Sequence, residues 1–170
     1  QLRGYQVYTA LLTQSGGDEE SDKNDGDDIY KGVTYYINNN PDDGDFTIYG
    51  APNNNVGTYF VCTQNGIVPH GAQLLYNTGA PVVTVLENTI GNVWFTYDSV
   101  GTYYGYSDGL FTENKTLTLV YENSIDVTGG VVQVTFDRIN NNQIIIQNGT
   151  DATLYDSLII NRPIEIRVYN

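Results

Sequence analysis

Residues 78–97 read TGAPVVTVLENTIGNVWFTY. Pro81 suits a strand entry or an edge, where its missing N–H costs no ladder bond. The run Val82–Leu86 is largely β-branched and fits a pleated surface, Glu87–Gly91 collects turn residues, and Val93–Tyr97 returns as the next strand with Trp94 as an anchor on one face. Glu87 and Asn88 therefore read as turn chemistry rather than catalysis. Two strands and a bend, with no helical periodicity, point to an all-β chain.

The same period-two pattern recurs on both sides of this stretch. Val7, Thr9 and Leu11 alternate with Gln6, Tyr8 and Ala10; Leu117, Leu119 and Tyr121 alternate with Thr116, Thr118 and Val120; Ile164, Ile166 and Val168 alternate with Glu165, Arg167 and Tyr169. Further strands are expected at GVTYYI, DFTIYG, GTYFVCT, AQLLY, TYYGYS, VVQVTFD, QIIIQ and DSLII, separated by Gly, Asn and Asp clusters. About a dozen short strands predict an antiparallel sandwich or jelly-roll-like domain. Apolar strands stand near both ends, and pairing or packing them together would protect two edges.

The tract SGGDEESDKNDGDD, residues 15–28, holds seven carboxylates and one lysine. Self-repulsion without an apolar anchor predicts a solvated loop. The resulting organisation is a main β domain of residues 1–16 plus 80–170, an acidic loop or linker at 17–29, and a small inserted β module at 30–79.

Composition limits the functions available. Seven Lys and Arg against twenty Asp and Glu give a formal charge of -13, too negative to release many counterions from a nucleic acid. The apolar runs are far shorter than a membrane span. The chain begins at Gln1, which suggests processing, trimming or a place within a longer polypeptide. Cys62, the only cysteine, lies in an apolar run and reads as a small buried hydrophobe. No cofactor is called for.

Chemistry-bearing residues are scattered. His70 sits in NGIVPHGAQ and reads as a turn residue. Glu87, Glu113, Glu122 and Glu165 are the glutamates available to a glycosidase pair, which also needs a fixed carboxylate separation. Asp42, Asp43 and Asp45 in NNNPDDGDF bunch oxygen ligands as a calcium loop would, but without the EF-hand register. Sequons occur at Asn114 and Asn148. The tyrosines are the best indicator of function: in VGTYYGYSDG, Tyr103, Tyr104 and Tyr106 interleave with Gly and polar residues, offering rings suited to carbohydrate stacking or protein contact.

Three strings, YQVYTALLTQSG, APVVTVLENTIGNVWFTY with GLFTENKTLTLV, and INRPIEIRVYN, resemble a small β module of bacteriophage structural proteins. The segment GVTYYINNNPDDGDFTIYGAPNNNVGTYFVCTQNGIVPHGAQLLYNTG resembles a second phage-associated module, matched at Tyr36, Asp45, Phe46, Thr47, Gly50, Ala51, Asn54 or Asn55, Gly57, Phe60 and Thr63 and departing at Cys62, Gln64, Asn65 and Pro69–His70. The resemblance implies a non-enzymatic structural protein on the virion surface, extracellular once released. It implies a capsid decoration, head fibre, spike or tail appendage, assembled as a homotrimer with other virion proteins. A receptor- or glycan-binding adhesin is the alternative role.

Overall fold

The computed structural model describes residues 4–120, 124–125, 131–150 and 153–170, with backbone alone at 124, 125, 131 and 132. In chain order the strands are β1 (Tyr5–Thr13), β2 (Glu20–Asn24), β3 (Asp28–Ile29), β4 (Thr34–Asn39), β5 (Tyr59–Val61), β6 (Gly66–Ile67), β7 (Gln73–Asn77), β8 (Val82–Asn88), β9 (Val93–Ser99) and β10 (Thr102–Ser107). They continue with β11 (Thr116–Val120), β12 (Ser124–Ile125), β13 (Val131–Arg138), β14 (Gln143–Thr150), β15 (Thr153–Leu154) and β16 (Arg162–Tyr169). The protein is all-β, built of antiparallel sheets packed as a sandwich.

One layer has the order β11-β16-β1-β8, and the facing layer has the order β12-β13-β14-β10-β9 with β15 beside β14. The two terminal strands pair from Tyr5 opposite Tyr169 to Leu12 opposite Arg162. Alternation aims Tyr8, Ala10, Leu12, Ile164 and Ile166 inward, against Phe95, Tyr103, Phe136, Ile144 and Ile146 of the facing sheet. Each such Leu, Ile or Phe side chain contributes roughly 1.5–3 kcal/mol by leaving water.

Residues 20–77 supply every strand of a third sheet, β2-β7-β4-β5, and of the β3-β6 ribbon. A second core of Ile29, Tyr35, Ile37, Phe46, Phe60, Cys62 and Leu74 lies beneath them. The chain leaves and re-enters the sandwich side by side. Gln14 Nε2 donates to the carbonyls of Gly16 and Gly79, each at 3.2 Å. A Cβ on Gly79 would stand 2.6 Å from the Gly17 carbonyl oxygen, so the close approach requires glycine.

Four sequence expectations change. The acidic tract is not a loop throughout, because Glu20–Asn24 pairs with β7 as an edge strand. Backbone pairing needs no apolar side chain, and a charged edge resists further strand addition. DFTIYG contains a 3-10 turn at Thr47–Tyr49, where Asp45 Oδ1 accepts from the Thr47 N–H at 2.9 Å and competes with a ladder. DSLII, residues 156–160, is irregular. Finally, the bend after Val82–Leu86 starts later than Glu87: β8 runs to Asn88, and Glu87 stands opposite Thr9. Asn88 Oδ1 then accepts from the N–H groups of Ile90 and Gly91 in the turn, and β8 and β9 lie in different sheets rather than forming a hairpin.

Candidate aromatic binding site

Strand β10 sorts its tyrosines by period two. Tyr103 points inward and is fully buried. Its hydroxyl lies 2.8 Å from Gln14 Oε1 and 3.0 Å from Asp156 Oδ1, so one proton serves two acceptors. Burial, with Asp156 beside it, pushes the Tyr103 hydroxyl well above the usual phenol range. Tyr103 is therefore a core residue and not part of an exposed tyrosine set, because it occupies the opposite face from its neighbour. Tyr104 and Tyr106 do lie on the outer face, half-buried.

Those two rings belong to a longer array. Tyr106 stands opposite Trp94 and Tyr104 opposite Thr96 in the β9–β10 ladder. Trp94 stacks on Tyr106 with centroids 5.9 Å apart and planes 18° apart. On its other side it stacks on Tyr59 at 5.8 Å and 5°. Tyr59 meets Tyr36 at 4.7 Å, and Tyr106 meets Tyr104 at 6.0 Å. Tyr36, Tyr59, Trp94, Tyr106 and Tyr104 thus form one strip across the third sheet and the sandwich.

Polar bonds hold the two parts of the strip in register. Asn92 Nδ2 donates to the Tyr59 carbonyl at 2.9 Å, and the Phe95 N–H donates to Thr34 Oγ1 at 3.4 Å. Gln143 Nε2 donates to the Tyr106 hydroxyl at 3.1 Å and orients that ring. A cleft flanks the strip on each side of Tyr59. One, of about 290 Å³, is walled by Glu20, Tyr36, Tyr59, Tyr76, Asn77 and Tyr97. The other, of about 210 Å³, lies between Asn53, Thr58, Tyr59, Asn92, Trp94 and Asp108. Burial, followed by the neighbouring Tyr36 and Glu20, raises the Tyr59 hydroxyl above the ordinary phenol value. Tyr97 is pushed up to about 12 by desolvation and by the carboxylate of Asp156. These phenols are neutral donors at physiological pH.

The other candidate residues do not assemble into such a site. Asp45 is engaged by Thr47, whose hydrogen bonds lower its carboxyl below the usual range. Asp42 Oδ2 meets His70 Nδ1 at 3.0 Å, and Asp43 occupies the left-handed region with φ 52. Among the described residues no group of three or more His, Cys, Asp or Glu side chains is placed to hold a metal. His70 lies in a turn, exposed. Cys62 is buried and its thiol donates to the Gln64 carbonyl; burial raises its pKa. Glu87 and Glu165 stand on either side of Thr9, Glu165 is ion-paired with Arg167, and Glu113 lies in an exposed loop. Glu122 lies outside the described residues. Asn148 is fully buried, donating to the Tyr155 carbonyl at 2.5 Å, so that sequon is closed to modification.

Sequence reasoning singled out Tyr104 and Tyr106 as ligand candidates and noted Trp94 only as an anchor. It did not connect Tyr36 and Tyr59 with them, because these residues are remote in the chain. Among the described residues no helix is long and apolar enough to cross a membrane. No family model, curated protein or solved structure matches the chain.

Proposed function

We propose that the chain is a non-enzymatic, glycan-binding module displayed on a phage-like virion, where it attaches the particle to host-surface carbohydrate. The observation that carries this reading is the five-ring strip from Tyr36 to Tyr104, partly open to solvent and flanked by two clefts. Pyranose rings present apolar C–H faces and a rim of hydroxyls. Fixed aromatic rings cover the former at low entropic cost, and amide and carboxylate side chains satisfy the latter. Asn53, Asn77, Asn92, Glu20 and Asp108 supply such groups beside the rings. The virion setting, and assembly there as a homotrimer, are supported by the resemblance of the strings described above to bacteriophage structural modules.

The test is binding to a panel of immobilised oligosaccharides, with Trp94→Ala and Tyr59→Ala as probes. We expect retained folding and at least about a tenfold loss of affinity, in keeping with the energy concentrated in central aromatic anchors. Unchanged glycan binding in both variants, or no binding by the parent protein, would overturn the reading. Light scattering checks the trimer separately.

A further inference from the structure

The acidic tract has a place at the site. Its edge strand β2 runs along β7, with Glu20 opposite Asn77, and both residues wall the larger cleft. Asp18 accepts a hydrogen bond from Asn77 Nδ2 at 2.8 Å, fixing a second carboxylate beside the same residue. From the sandwich side Asp98 follows Tyr97 on β9, exposed, and Asp108 walls the smaller cleft. The fields of these groups reach the rings. After burial and the neighbouring tyrosines, Glu20 adds to the upward shift of Tyr59 and Asp98 to that of Tyr106. After burial and Asp156, Asp18 and Asp98 do the same at Tyr97. Among the described residues neither cleft has a Lys or Arg in its wall.

A ligand on the strip therefore meets carboxylates at both ends of the contact and, among the described residues, no counter-charge in the cleft walls. Neutral hydroxyls can donate to those carboxylates, since a charged acceptor makes a stronger bond than a neutral one. A uronate, sialate, sulfate or phosphate group placed there would face like charge with no cation to pair it, which suppresses the wrong partner. The third sheet is essential to this arrangement because it carries Glu20, Tyr36 and Tyr59. The acidic tract, a charged strand edge, then has a second role.

We infer that the strip takes neutral glycans, with a hexopyranose unit seated in the cleft between the third sheet and the sandwich, and that Glu20 and its acidic neighbours exclude anionic glycans. The inference rests on the glycan-binding reading and adds the ligand's charge class and the residues that set it.

The experiment compares two probes of equal length, a neutral gluco-oligosaccharide and an oligogalacturonate, by calorimetry at low and at high salt. The proteins are the parent chain, Glu20→Gln, Asp98→Asn, the double variant and Trp94→Ala. We expect the parent to bind the neutral probe at least about tenfold more tightly at low salt. Salt should narrow the gap by screening, and the double variant should narrow it without salt. Trp94→Ala should lose the neutral probe, which ties the discrimination to the strip. Equal or tighter binding of the oligogalacturonate, abolished by Trp94→Ala, would overturn the charge selectivity while leaving the glycan reading intact. Absence of binding to either probe would overturn both. A gap indifferent to salt and to the double variant would overturn the role given to Glu20 and Asp98. Circular dichroism of each variant confirms that the fold persists.

Discussion

The two faces of the β9–β10–β14 region carry aromatic rings drawn from the same strands and use them in opposite ways. Inside, Phe95, Tyr103, Ile144 and Ile146 are wholly buried, and the one polar atom among them is tied to Gln14 and Asp156. Outside, Trp94 stacks on Tyr106 and Tyr104 meets Tyr106 edge-on, all half-covered, with Gln143 holding a hydroxyl. Neighbouring residues such as Tyr103 and Tyr104 share a residue type and differ only in the direction of Cβ. The contrast teaches that ring count says nothing about binding until the face is known. An aromatic residue surrounded on all sides stabilises, whereas one supported by its neighbours and open to solvent is available for contact.

The largest effect expected on this contrast comes from the inner face. Phe95→Ala should lower unfolding free energy by about 3–5 kcal/mol, because the cavity cannot fully collapse between two packed sheets. Urea denaturation measures it, and a loss below about 1 kcal/mol would deny Phe95 its core role. Next, Tyr103→Phe should cost about 1–3 kcal/mol by removing a buried hydroxyl that two acceptors share. The variant should leave glycan binding unchanged; lost binding with intact stability would move Tyr103 to the functional face.

Alkaline titration tests the pair formed by buried Tyr103 and Tyr97, which meets it edge-on between the core and the cleft. A phenol whose pKa rises in the fold favours the folded state until the unfolded chain ionises. That stability is complete below pH 10 and declines as pH climbs from 10 through about 12, the value reached by Tyr97. Thermal melts from pH 8 to 12 should show the decline, and the Tyr97→Phe and Tyr103→Phe double variant should flatten it. A profile identical in parent and variant would remove these two groups as the cause. The smallest effect is expected outside. Tyr104→Ala, at the end of the strip, should change stability by less than about 1 kcal/mol yet weaken glycan binding measurably. A stability loss as large as that of Tyr103→Phe would erase the contrast.

Much of the fold was legible because burial writes itself into alternation. TYYGYS, PVVTVLE, NVWFTYD and the terminal strands emerge at or near their expected bounds. The failures are equally physical. Glu20–Asn24 has no apolar signal, since an edge strand can be held by its backbone alone. DFTIYG reads as β-prone, yet a local Asp45 side chain captures the backbone at Thr47. At the site, Tyr104 and Tyr106 were legible as a cluster within one strand, whereas Tyr36 and Tyr59 join them only through space.

Residues 78–97 show where that boundary lies. Their β-branched run, glycine and aromatic return determine two strands separated by a turn, because these are preferences of the chain over a few residues. Whether those strands pair is not a local property. Only the packed structure sends β8 to β1 and β9 to β10, since the two apolar faces must oppose one another to leave water. That crossing turns Trp94 outward to meet Tyr59 from a separate sheet, and so decides the site as well as the fold.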